Sequence, residues 1–118
     1  MKRIYLVFIL PVLLLSAVRC GESVKVVQHE PVIESITASR TLVYPKEFVT
    51  IVAKVTDKDK NDKLDFKWTA TGGKLTNENN NPTQWHAPDS PGTFTITLSV
   101  FDGVFEVKDS IEIKVIAR

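Results

Sequence analysis

The sequence predicts an all-β protein: an antiparallel β-sandwich of about seven strands behind an N-terminal export segment. Three observations predict it. From Pro31 onward apolar side chains recur with period two, which puts them on one face of an extended chain. The alternating runs are short and separated by turn chemistry at Gly72-Gly73, Pro88–Gly92 (PDSPG) and Asp102-Gly103, the last a hairpin signal. No window beyond the N-terminal apolar run carries a helical stripe.

The chain of 118 residues has room for one small domain. Residues 1–19 read as a signal peptide. Met1-Lys2-Arg3 is a basic start, and Ile4–Leu15 (IYLVFILPVLLL) is an apolar run, too short to span a bilayer and of the length of a signal-peptide core. Cys20 follows and is the single cysteine, so no internal disulfide forms and the fold stands on its core. A lone Cys after such a run resembles the lipobox of bacterial lipoproteins, and this resemblance implies a lipid anchor on Cys20. Ala17 and Arg19 stand where that pattern has Leu and a small residue. Two alternatives stay open: cleavage near Ala17 or Val18 with Cys20 a free thiol, or an uncleaved anchor. Residues 20–30 then read as the anchor site and a tether. Ten extended residues reach about 33 Å. The module itself is expected over residues 31–118.

Four runs define its strands. Val49, Ile51, Ala53 and Val55 alternate with Thr50, Val52, Lys54 and Thr56. Leu64, Phe66, Trp68 and Ala70 form the next apolar face, followed by Phe94, Ile96, Leu98 and Val100, and by Ile111, Ile113 and Val115. Between Trp68 and Trp85 lies the most polar stretch of the chain, with a brief strand expected at Lys74–Thr76. Trp68 is expected to be a core pillar. Trp85 has two readings: a packing residue on a short returning strand, or, with His86, a partly exposed platform on which a carbohydrate stacks.

Four stretches resemble bacterial immunoglobulin-like domains of the polycystic-kidney-disease (PKD) type: PVIESITAS, VTDKDKNDKLDFKWTATGGKL, WHAPDSPGTFTITLSVFDG and IEIKVI. The spacing of Gly92, Phe94, Ile96, Leu98, Val100, Asp102 and Gly103 is the most specific part. Phe94 stands at the family's tyrosine position, and WTATGG replaces its acidic Gly-rich signature. The resemblance implies an immunoglobulin-like sandwich across nearly all of the mature chain and a role in interaction or assembly rather than catalysis.

The remaining motifs are sparse. Asp57, Asp59, Asn61 and Asp62 form DKDKND, whose alternating oxygen ligands resemble the start of a calcium loop. An EF-hand is excluded, because Trp68 stands where its glutamate would be. A sandwich could still hold calcium between loops, with Asp102 joining from a turn at the same end, although Lys58, Lys60 and Lys63 offset the acidic charge. His29 and His86 lack Cys or Glu at ligand spacing. No Gly-rich phosphate loop and no serine with a His–Asp context occur, so the chain reads as a non-enzyme. The net charge is +1. Processing before Cys20 removes Lys2, Arg3 and Arg19 and leaves 12 basic against 14 acidic side chains, which gives no pull toward nucleic acid.

These features predict a non-catalytic module of the bacterial cell envelope, exported and held to a membrane through lipid on Cys20. Its expected partner is an envelope or extracellular protein, met by the loop end that contains Asp57–Lys63 and Asp102-Gly103. The alternatives are a secreted or periplasmic protein, and a carbohydrate-binding accessory module built on Trp85.

Overall fold

The computed structural model describes residues 27–59 and 63–118. Residues 1–26, and with them the signal peptide and Cys20, lie outside the described residues, as do Asn61 and Asp62. Among the described residues no helix is long and apolar enough to cross a membrane.

Eight strands form among the described residues: β1 (Val32–Ala38), β2 (Leu42–Val43), β3 (Phe48–Thr56), β4 (Asp65–Ala70), β5 (Lys74–Leu75), β6 (Thr83–His86), β7 (Gly92–Phe101) and β8 (Glu106–Val115). They make two four-stranded sheets, ordered β1-β3-β6-β5 and β2-β8-β7-β4. All pairings are antiparallel except β2 with β8. The chain crosses between the sheets at Ser39–Thr41, so that the Lys114 amide donates to the Thr41 carbonyl at 2.8 Å and the Ile116 amide to Val43 at 2.9 Å.

Period-two alternation sets the core. Val49, Ile51, Ala53 and Trp85 point inward from one sheet and meet Trp68, Ile96, Leu98, Val100, Ile113 and Val115 of the other. Their polar neighbours Thr50, Lys54, Lys67 and Glu112 face out. The count exceeds the expected seven by the two-residue β2. β8 also begins at Glu106, ahead of the alternation at Ser110–Val115, because the long β7 gives its polar first half a partner in register from Phe101↔Glu106 onward.

The polar stretch between the tryptophans covers an edge. β4 lies at the margin of its sheet, where unpaired backbone groups would template another chain. The Trp68 amide donates to the Glu78 carbonyl at 2.7 Å, and Asn79 Nδ2 donates to the Phe66 carbonyl at 2.9 Å. Asn81 does similar work on β3: its Nδ2 donates to the Ala53 carbonyl at 2.8 Å, and its Oδ1 accepts from the Ala53 amide at 2.9 Å. An asparagine amide carries a donor and an acceptor side by side, so it extends a ladder as a strand would.

Candidate functional site

The sandwich has two ends with different chemistry. The loop that follows β3 leads into Asp65, which pairs with Phe101. Asp57, Asp59 and Asp102 therefore lie at one end, as expected. What lay outside the expectation is that the tether folds onto them. The His29 amide donates to Asp59 Oδ2 at 2.7 Å, His29 Nδ1 faces Oδ1 at 3.0 Å, and Gln28 Nε2 donates to Oδ2 at 3.1 Å. An ionised carboxylate only accepts, so the Nδ1 of His29 carries the hydrogen. Gln28 and His29, read from sequence as part of the tether, are thus bonded to the domain.

Asp57, Asp59 and Asp102 are already engaged. Asp57 Oδ1 accepts from the Asp59 amide at 2.9 Å, and Asp102 Oδ1 accepts from Val104 and Phe105 amides at 2.8 and 2.6 Å. Oδ2 of Asp57 and of Asp102 are shielded from solvent with no donor aligned on them, while the Gln28 amide helps hold the Asp102 charge. Among the described residues no three acids or histidines gather closely enough to hold a metal. The calcium expectation also used Asn61 and Asp62, which fall outside the described residues.

These bonds favour the charged carboxylates. The His29 side chain, then its amide, hold Asp59 below the usual carboxylate range, and the Phe105 amide does the same for Asp102. At the other end the Tyr44 amide, then Arg40, lower Glu47. A depressed folded value means that the unfolded chain takes up protons first as pH drops. The contribution of all three is complete above the ordinary carboxylate range and is lost as pH falls through their lowered values. Thermal melts of the wild type are expected to fall steadily below about pH 4, and Asp59→Asn to flatten that acid limb.

The opposite end carries an exposed aromatic stack. The Phe48 and His86 rings stack with centroids 4.3 Å apart and planes 11° apart, and Phe48 is 51% exposed. Beside them a shallow cavity of 420 Å³ is lined by Gly73, Lys74, His86, Ala87, Pro88 and Asp89. Arg40 Nη2 donates to the Phe48 carbonyl at 3.1 Å, and its Nη1 pairs with Glu47 at 3.2 Å. Arg118 stands over the Tyr44 ring at 4.6 Å, a cation–π contact.

The platform expected on Trp85 needs correction. On β6, Thr83 and Trp85 point inward, while Gln84 and His86 point out. Trp85 is 0% exposed, and its Nε1 donates to the Gly72 carbonyl at 2.8 Å, so no sugar face reaches the ring. His86 is half-buried and does reach the surface, with Phe48 as its partner. The signal for Phe48 was its parity: it is an apolar residue on the solvent-facing phase of a strand whose core phase is Val49, Ile51 and Ala53.

Two packed sheets with a strand that changes sheets after β1 define an immunoglobulin-like β-sandwich. The PKD domain family model matches residues 35–115. The chain belongs to the PKD domain family. No curated protein matches it by sequence. Among solved structures it is similar to the D00-D0 domain of intimin, with a TM-score of 0.54 and 15% identity over 75% of this chain and 50% of that one. It is also similar to a nucleoside hydrolase-related hypothetical protein from Saccharophagus degradans that is associated with carbohydrate metabolism, with a TM-score of 0.51 and 14% identity over 77% of this chain. The chain spans half the length of the first and 26% of the second.

Proposed function

We propose that this chain is a non-catalytic module of the bacterial cell envelope, anchored through lipid on Cys20, that presents the end bearing Phe48 and His86 to a protein partner. The observation that carries the reading is the exposed Phe48–His86 stack beside a 420 Å³ hollow, on a domain whose tryptophans are both buried. Aromatic side chains that remain exposed beside a concave surface are common anchors of recognition. The contact surface moves away from the Asp57–Lys63 loop because Gln28 and His29 occupy Asp59 and tie the tether there. Membership of the PKD domain family supports an interaction role. The burial of Trp85 takes away the platform that a carbohydrate reading used.

One experiment tests both halves. Cells expressing wild type, Cys20→Ala and Phe48→Ala are fractionated, and envelope proteins are crosslinked to each form. Cys20→Ala is expected to leave the membrane fraction, since stable retention requires acyl chains. Phe48→Ala is expected to stay in the membrane, melt like the wild type, and lose its crosslinked species. Equal partition of Cys20→Ala overturns the anchor, and unchanged crosslinking by Phe48→Ala overturns the contact surface.

A further inference from the structure

We propose that the tether end of the sandwich rests on the bilayer that anchors Cys20, with Val104 at the hairpin tip and Val32 and Phe101 as an apolar collar in the interfacial layer. The inference rests on the reading of Cys20 as the lipid site. It adds an orientation and a lipid-contacting surface on the domain itself.

The clip limits the reach of the chain. With Gln28 and His29 held on Asp59, only the residues from Cys20 to Val27 separate the clip from the lipid site. At about 3.3–3.6 Å per residue this is roughly 25 Å at full extension. The ten-residue strands β7 and β8 are longer, on the order of 33 Å. The end that carries the clip is therefore the end held near the bilayer, and the Phe48–His86 end points away from it.

Exposed apolar side chains gather at the two ends of the sandwich. Among the described residues Val27 is 62% exposed, Val32 53%, Phe101 41% and Val104 61%, all at the tether end, while Leu42, Tyr44 and Phe48 are exposed at the opposite end and Val52 lies on the flank. Val32 pairs with Thr56 at the end of β3, and Phe101 with Asp65 at the start of β4, so the two stand on opposite outer faces and ring the tip. The flank formed by β7 is polar: Thr93, Thr95, Thr97 and Ser99 alternate outward along it. A domain lying on its side would offer these hydroxyls to lipid, whereas one standing on its tether end offers valine and phenylalanine. Lys58 and Lys63 are exposed beside the tip, and their long stems allow the ammonium groups to reach lipid phosphates. Asp59 and Asp102 spend their charge on His29, Gln28 and the Val104 and Phe105 amides, whereas Asp65 and Glu106 stay exposed beside Phe101.

So small a collar binds a membrane weakly by itself. Anchoring changes that, because a tethered surface meets the bilayer at high effective concentration. The test accordingly uses the full lipidated chain. With the Cys20 thiol consumed by the lipid, Val104→Cys and, at the far end, Ser90→Cys each provide one free thiol for a polarity-sensitive fluorophore. The two proteins are placed on phosphatidylethanolamine–phosphatidylglycerol vesicles and floated. The label at position 104 is expected to show blue-shifted emission and to lose most of its quenching by aqueous iodide, while the label at position 90 stays water-like. Adding Asp59→Ala, which removes the acceptor of all three clip bonds, is expected to restore quenching at position 104. Flotation with equal, water-like emission at both positions overturns this proposal alone. Failure to float, with Cys20 titrating as a second free thiol, overturns it together with the anchor.

Discussion

Trp68→Ala is expected to lower the unfolding free energy of the domain by about 3–5 kcal/mol. The ring is 0% exposed and sits where β4 faces the opposite sheet. Truncation removes the largest class of buried side chain and leaves a cavity that rigid sheets cannot close. A second cost follows from polarity. Trp68 Nε1 donates to the Asn80 carbonyl at 2.7 Å, and alanine leaves that partly buried acceptor without its partner. The change also loosens the cover on the β4 edge, because Asn80 is part of the segment that lies against it. A domain of this size has only about 5–15 kcal/mol to lose. Urea unfolding measures the effect as a lower midpoint at unchanged slope. A loss below about 1 kcal/mol would contradict an inward-facing Trp68 and with it the register of β4 against β7.

Much of this architecture was legible because side-chain parity is a local property. The Val49–Ile51–Ala53 and Ile96–Leu98–Val100 phases name the core without any knowledge of pairing. They do not name partners. The first half of β8, Glu106–Asp109, has almost no apolar alternation, and it becomes a strand only because β7 runs beside it. β2 is two residues long and is held by Lys114 and Ile116 amides from the far end of the chain. Loop convergence was legible at one remove, since any antiparallel sandwich brings the β3 exit and the β7–β8 turn to the same end. The clip was not. Gln28 and His29 reach Asp59 across about thirty positions, and a polar tether looks alike in sequence whether it is bound or free. The two readings of Trp85 part for a related reason. Sequence shows that Trp85 and His86 are adjacent, but adjacent residues on a strand face opposite sides, so only one of them could be displayed.

Trp85→Ala is expected to cost about as much as the Trp68 change, 3–5 kcal/mol, and to do so whether or not any ligand is present. Trp85 is buried against Phe94 with ring centroids 5.9 Å apart, and it holds the Gly72 carbonyl through Nε1. The turn that supplies this carbonyl is built around the indole. Gly73 has φ +76°, and a Cβ there would stand 2.5 Å from the His86 carbonyl oxygen and 2.7 Å from Trp85 Nε1. Backbone and ring therefore approach too closely for any side chain, which is why a glycine with positive φ occupies the position. Trp85→Phe separates the two contributions: it keeps most of the apolar bulk and removes the N–H. The orphaned carbonyl is worth about 1–3 kcal/mol, so the order of stability is wild type, then Trp85→Phe, then Trp85→Ala. At roughly 4–8 °C per kcal/mol for a domain of this length, Trp85→Ala moves the melting temperature by on the order of 20 °C. A surface platform would behave in the opposite way, with an unchanged melt and a lost ligand. A melt of Trp85→Ala within a few degrees of wild type would return the indole to the surface.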